Sequence, residues 1–180
     1  MIEKTAIEGV LIITPRVFQD DRGSFTESFN MRQFDEATKG EYTFAQDNQS
    51  ISKKGVVRGL HFQNPPNAQG KLVRVSRGAV LDVAVDLRKS SDTYGQHVAV
   101  VLSANNNRQL WIPPGFAHGF AALEDNSTFC YKRTDYYAPE SEATILWNDP
   151  DLNIDWQIEN PIVSQKDIEG QEFRNFVSHF

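Results

Sequence analysis

Apolar and polar positions alternate in short runs along most of the chain, and each run ends at glycine, proline or an Asn/Asp cluster. Period-two alternation puts successive side chains on opposite faces of an extended backbone, so these runs predict strands. Residues 8–14 read as a β-branched strand closed by Pro15. The cluster 20–23 is a turn signal, after which Phe25, Glu27 and Phe29 alternate with Ser24, Thr26 and Ser28. Met31–Thr38, stopped by Gly40, is the one convincing helix in the first two-thirds. Residues 42–50 predict another strand, carrying Gln46, Asp47 and Asn48. Residues 57–63 and 71–75 are strand-like runs joined by a Pro/Asn/Gly stretch, 64–70, which predicts a β-hairpin with a long loop.

The pattern continues in residues 78–88, where Leu81, Val83, Val85 and Leu87 share one face and Asp82 and Asp86 the other. Residues 97–102 form a near-continuous apolar strand, broken by three asparagines before 109–112 resume it. Pro113-Pro114-Gly115 is a hard turn leading into residues 116–123. In residues 127–135, Phe129, Tyr131, Arg133 and Asp135 share a face. After Tyr136 the chain reads as loop, with a weak terminal helix at most. Many short strands, turns roughly every ten residues and almost no helix predict an all-β antiparallel sandwich or barrel. Among these, a double-sheet jelly roll offers a concave mouth suited to a small molecule.

At 180 residues the chain suits one sizeable core, and 39% hydrophobic with 23% charged residues fits a globular domain. A net charge of -6 with both signs interspersed argues against nucleic acid as a partner, which usually meets a basic face. A local basic pocket for one phosphorylated small molecule remains compatible. No apolar run approaches the roughly 20 residues that cross a bilayer, so no membrane partner is expected. The N-terminus lacks a charged-then-apolar leader, and the lone Cys130 allows no internal disulfide, so the cytoplasm is the expected compartment. Cys130 itself reads as a small buried hydrophobe rather than a nucleophile.

Chemistry enters at His61 and Lys71, which flank one turn region. Imidazole can take a proton near neutral pH, and an ammonium can hold the negative charge left behind. Chance placement on a polar loop is the alternative for this stretch alone. Neither His61 nor His118 has a second histidine two residues away or a carboxylate at short ligand spacing, so no metal is expected. His97 and His179 read as structural, whereas His118, after a rigid turn, is either pocket wall or ligand contact. No nucleophile elbow or P-loop occurs. His61, Lys71, Tyr131 and the arginines and carboxylates suit proton transfer next to a carbonyl. They suit a binding module equally well.

Five stretches break that tie: 58–63, 69–75, 82–88, 109–119 and 131–140, of which the first reads Arg-Gly-Leu-His-Phe-Gln. Together with 20–23, 46–48 and 164–167 they resemble, in unbroken order from about residue 9 to 167, the dTDP-4-dehydrorhamnose 3,5-epimerase family. The resemblance implies one cupin-type jelly roll over residues 1–180, with a core of about 9–150 and an extension, 151–180, contributing Asp167. It further implies a homodimer with no cofactor and no metal, and a dTDP-4-keto-6-deoxy-sugar as substrate. Position by position, His61 would remove the protons at C3 and C5 and Asp167 would orient it. Lys71 would stabilise the enolate oxygen, and Tyr131 would return a proton from the opposite face. Arg22, Phe25 and Glu27 match positions meeting the nucleotide, contributed from a neighbouring subunit's strand. Gln46, Asn48, Arg58, His118, Glu142 and Lys166 match other substrate contacts, and Tyr137 a pocket-shaping aromatic. Strict alternation would set Arg58 and His61 on opposite faces, so an irregularity is expected at Gly59. The rival readings are an epimerase acting at one carbon, a related ketoisomerase, and a cupin that binds without catalysis.

Overall fold

A computed structural model describes all 180 residues. In chain order the strands are β1 (Ile2–Lys4), β2 (Leu11–Ile13), β3 (Val17–Asp20), β4 (Gly23–Thr26), β5 (Gln46–Ser52), β6 (Val56–Gln63) and β7 (Lys71–Arg77). There follow β8 (Ala79–Asp86), β9 (His97–Ser103), β10 (Gln109–Ile112), β11 (Phe116–Ala122), β12 (Ser127–Arg133), β13 (Glu142–Thr144) and β14 (Ile162–Val163). Two short α-helices, α1 (Met31–Thr38) and α2 (Gln165–Ile168), and two 3₁₀ turns, Pro139–Ser141 and Phe173–Asn175, complete the regular structure. One sheet runs β1-β2-β10-β7-β12-β5, and the other β13-β6-β11-β8-β9 with β14 alongside β6. This is the expected antiparallel double-sheet jelly roll, and no helix is long and apolar enough to cross a membrane.

α1 forms where the pattern places it. Asn30 caps it by accepting from the Gln33 N–H at 3.3 Å, and Lys39 ends it in the left-handed region ahead of Gly40. Its buried Phe34 packs edge-on against Trp111, covering the outer face of the first sheet. Between the sheets, Val73, Leu110 and Phe129 from one wall meet Val80, Phe116 and Phe120 from the other. Every residue of β8 is buried. Val80, Ala84 and Asp82 face the interior, while Leu81, Val83, Val85 and Leu87 pack under a C-terminal layer that includes Leu152 and Trp156. The alternation in this strand therefore separates two buried faces.

Three expectations need correction. Residues 57–63 and 71–75 are not a hairpin, since β6 and β7 belong to different sheets and the loop between them crosses the barrel. Alternation specifies a strand's faces but not its partner. The chain after Tyr136 is not all loop: β13 and β14 flank β6 on its outer side, and α2 carries Asp167. Cys130 is half-buried rather than sunk in the core, with its Sγ 3.6 Å from Gln49 Oε1 and from Ser76 Oγ.

The turn after β8 is organised by Asp86, whose side chain is excluded from solvent. Its carboxylate accepts from Arg88 Nε and Nη2 at 2.9 and 2.8 Å and from the Ser91 and Thr93 hydroxyls at 2.7 Å. Burial pulls its pKa upward, but these donors prevail and bring it down to about 2. A depressed carboxyl pKa adds stability that is present above the unfolded value and is lost as pH falls through the folded one. Asp86→Asn is therefore expected to cost roughly 2 kcal/mol at pH 7, with the deficit shrinking as pH falls from about 4 to about 2. Urea unfolding at the two ends of that range measures it.

Candidate active site

The site is built around a break in β6. On β11, His118 pairs with His61 and Phe120 with Arg58, so β6 spends three steps where β11 spends two. The extra residue is a bulge, and it brings Arg58 and His61 onto the same face, as the irregularity expected at Gly59 requires. Gly59 has a φ of +125°, and a Cβ there would lie 2.5 Å from Gly119 Cα and 2.8 Å from the His118 carbonyl oxygen. Only glycine permits both that backbone angle and that approach of two strands.

Asp167 braces the bulge from the other end of the chain. Ser164 caps α2 by accepting from the Asp167 N–H, which sets the carboxylate beneath β6. One oxygen of Asp167 accepts from the Gly59 N–H at 3.1 Å, and the other meets His61 Nε2 at 2.6 Å. The carboxylate is almost wholly buried, whereas the imidazole remains open to the cavity. Burial pulls the Asp167 pKa up, but the His61 hydrogen bond and charge, with Gly59 and Ser164, hold it below the usual range.

A cavity of about 420 Å³ lies between the sheets at this point. His61 and Arg58 enter it from the second sheet, as do His118 and Glu142. Lys71, Tyr131, Gln46 and Asn48 enter from the first, with Tyr137 nearby. Thus His61 and Tyr131 project from opposite walls into one space, and Lys71 donates to the His61 carbonyl at 3.1 Å. Lys71 is only 8% exposed, and its pKa is pushed down to about 7 by burial and then by Arg133, against the pull of Asp82 and Glu142. His118 is buried against Asp82, with Nε2 at 2.9 Å from the nearer oxygen. Burial lowers the His118 pKa despite that carboxylate, which favours a neutral ring forming part of the wall. At the mouth, Glu142 accepts from the Tyr137 hydroxyl at 2.9 Å and pairs with Lys166 at 2.6 Å.

Three of the expected contacts stand elsewhere. Arg22 and Phe25 lie on the β3–β4 hairpin, 90% exposed at the Arg22 side chain and 69% at Phe25, and line a separate hollow. Glu27 lies in a third hollow and accepts from Asn30 Nδ2 at 3.1 Å. Conversely, the cavity includes Ser50, Phe120, Phe129 and Arg133, and Asp82 backs it, although none of these five was singled out as a site residue. Arg133 was legible as the inward neighbour of Tyr131 two residues away, and Asp82 as one of two carboxylates on a largely apolar strand. No three His, Cys, Asp or Glu side chains converge as metal ligands.

Residues 4–175 match the family model described as dTDP-4-dehydrorhamnose 3,5-epimerase. The chain belongs to that family. A relative of that name from Shigella flexneri is 56% identical over 170 residues, covering 94% of each chain. The crystal structure of an Elizabethkingia anophelis dTDP-4-dehydrorhamnose 3,5-epimerase superposes with a TM-score of 0.93 at 45% identity, covering 97% of this chain and 96% of that one. A dTDP-6-deoxy-D-glucose-3,5-epimerase from Legionella pneumophila Philadelphia 1, in complex with dTDP-4-keto-L-rhamnose, superposes with a TM-score of 0.94 at 48% identity over 98% and 94%.

The Gly59 bulge is the local feature on which this family member's site depends. Gly23, with φ of +127° but open space around it, isolates the backbone cost. Gly23→Ala is expected to cost about 1–2 kcal/mol, and Gly59→Ala about 3 kcal/mol or more because strand contact is lost as well. Chemical unfolding of the two variants tests the difference.

Proposed function

We propose that the chain converts dTDP-4-dehydro-6-deoxy-D-glucose to dTDP-4-dehydro-L-rhamnose by inverting C3 and C5. The observation that carries this reading is the placement of His61 and Tyr131 on opposite walls of one cavity, with the Lys71 side chain within it. The C4 ketone acidifies the hydrogens on both neighbouring carbons. His61 takes the proton from C3 or C5, and Asp167 holds the ring and balances the imidazolium that forms. The electron pair moves to the C4 oxygen, where Lys71 stabilises the enolate. Tyr131 then protonates the carbon from the other side. Inversion needs this opposition, because a single group serving as base and acid returns the proton to the face it left.

A positioned base or acid contributes about 10²–10⁴-fold and one preorganised donor to an oxyanion about 3–4 kcal/mol. In D₂O, proton NMR is expected to report deuterium at both C3 and C5 with the native chain. Label at one carbon would instead identify a single-carbon epimerase, and its absence from both a non-catalytic binder. His61→Ala should abolish exchange while leaving dTDP-sugar binding largely intact. Tyr131→Phe should stop epimerisation yet still wash deuterium into the substrate. The opposite pattern reverses the two assignments.

The 180 residues act here as one domain, with residues 151–180 supplying Asp167 to the core. The nucleotide part of the substrate extends past Tyr137 and Arg58 to Arg22, Phe25 and Glu27 of a second copy. The exposure of the β3–β4 hairpin and its distance from its own cavity support a homodimer with shared sites. A dTDP-sugar substrate supports the cytoplasm as its compartment. Mixing His61→Ala with Arg22→Ala chains and letting them exchange is then expected to restore about a quarter of native activity, since half the dimers carry one intact site. No recovery would mean that each chain builds its site alone.

A further inference from the structure

Lys71 and Arg133 are direct cross-strand partners on β7 and β12, and both face the cavity. Like charges in that position repel, and Lys71 is buried while Arg133 is half-buried. Neutral oxygens hold the guanidinium in place. Its Nε donates to Gln69 Oε1 at 2.7 Å and its Nη2 to Gln63 Oε1 at 3.0 Å and to Gln69. The two glutamines are themselves fastened to backbone: Gln69 Nε2 donates to the carbonyls of Asp135 and Tyr136, and Gln63 Nε2 to that of Asn67. Arg133 is thereby locked beside Lys71 without a carboxylate of its own.

Asp82 and Glu142 oppose this repulsion, each more weakly than Arg133 exerts it. From β8, Asp82 is engaged by His118 of β11, and from β13, Glu142 is engaged by Lys166 and Tyr137. From β6, His61 offers only its backbone carbonyl to the ammonium and directs its ring at Asp167. Tyr131, on the same strand as Arg133, contributes no negative charge while its hydroxyl is protonated.

We propose that Arg133 is a positioning residue that keeps Lys71 only partly charged in the empty cavity, so that an arriving nucleotide-sugar diphosphate completes its protonation. The inference rests on the substrate class assigned above and adds a role to a residue outside the acid–base pair. Two negative charges entering the cavity oppose Arg133 and restore the ammonium, so the oxyanion stabiliser is fully charged only when substrate is present. In free protein the effect follows from burial and from Arg133 together, the first being larger.

Calorimetric titration with dTDP-glucose, which has no ketone and a diphosphate that does not titrate near neutrality, tests this in buffers of differing ionisation enthalpy. At pH 7 the native chain is expected to take up about half a proton per site. Arg133→Gln, or Arg133→Met should the first fold poorly, is expected to take up about half as much or less. In a Lys71→Met background the Arg133 substitution should change the count no further, which separates Lys71 from the histidines. The alkaline limb of kcat/KM should also move to higher pH in Arg133→Gln, because removing the repulsion lets the ammonium persist. Equal proton counts in native and Arg133→Gln chains, or an Arg133 effect that survives Lys71→Met, would overturn the proposal while leaving the epimerase reading intact. A failure of dTDP-glucose to bind would sink the substrate class and this inference with it.

Discussion

A single buried carboxylate ties the C-terminal segment to the irregular stretch of β6 beside the cavity. Asp167 receives the Gly59 N–H with one oxygen and meets the His61 ring with the other. The first contact satisfies a backbone donor at the β6 bulge, a group that would be costly to bury unpaired. The second orients the imidazole towards the cavity. Without the bulge, Arg58 and His61 would diverge to opposite sides of the sheet. Without α2 beneath β6, the bulge would lack its brace. The C-terminal segment therefore contributes to packing and to the geometry of the site through one residue.

The cavity is electrostatically uneven in a way that suits an anionic guest. Arg58, Lys71 and Arg133 bring positive charge, while Glu142 is the carboxylate of the lining and is already paired with Lys166. Asp82, behind the wall, is committed to His118. Burial raises the Asp82 pKa and lowers those of His118 and Lys71, so in each case the low-dielectric interior disfavours charge. Such a site is most comfortable when a ligand supplies the missing negative charge. Under the proposed function, affinity for a diphosphate and protonation of the lysine have a common origin.

The scaffold makes these demands affordable by surrounding the reactive strands with packing on both sides. β8 is buried throughout, between the interior cluster and the C-terminal layer, and β11 beside it is buried along its whole length. Trp111 and Phe34 close the outside of the first sheet. Side chains in such close-packed surroundings hold one rotamer, which is what the proposed base and acid on opposite walls need.

Much of this was readable along the chain. The strand-rich class, the helix at Met31–Thr38 and the inward face of Phe129, Tyr131 and Arg133 follow from periodicity and turn chemistry, which are local. The stretches around His61, Lys71, Tyr131 and Asp167 pointed to the family whose model matches the chain. What lay beyond local pattern was pairing: that β6 and β7 part into different sheets, that β13 and β14 join β6, and that Lys71 stands opposite Arg133. Strand partners are chosen by contacts between residues far apart in sequence, and alternation carries no record of them. The residues and their chemistry were thus written in the chain, whereas their distances, and the mutual influence of buried charges that follows from distance, were decided by tertiary packing.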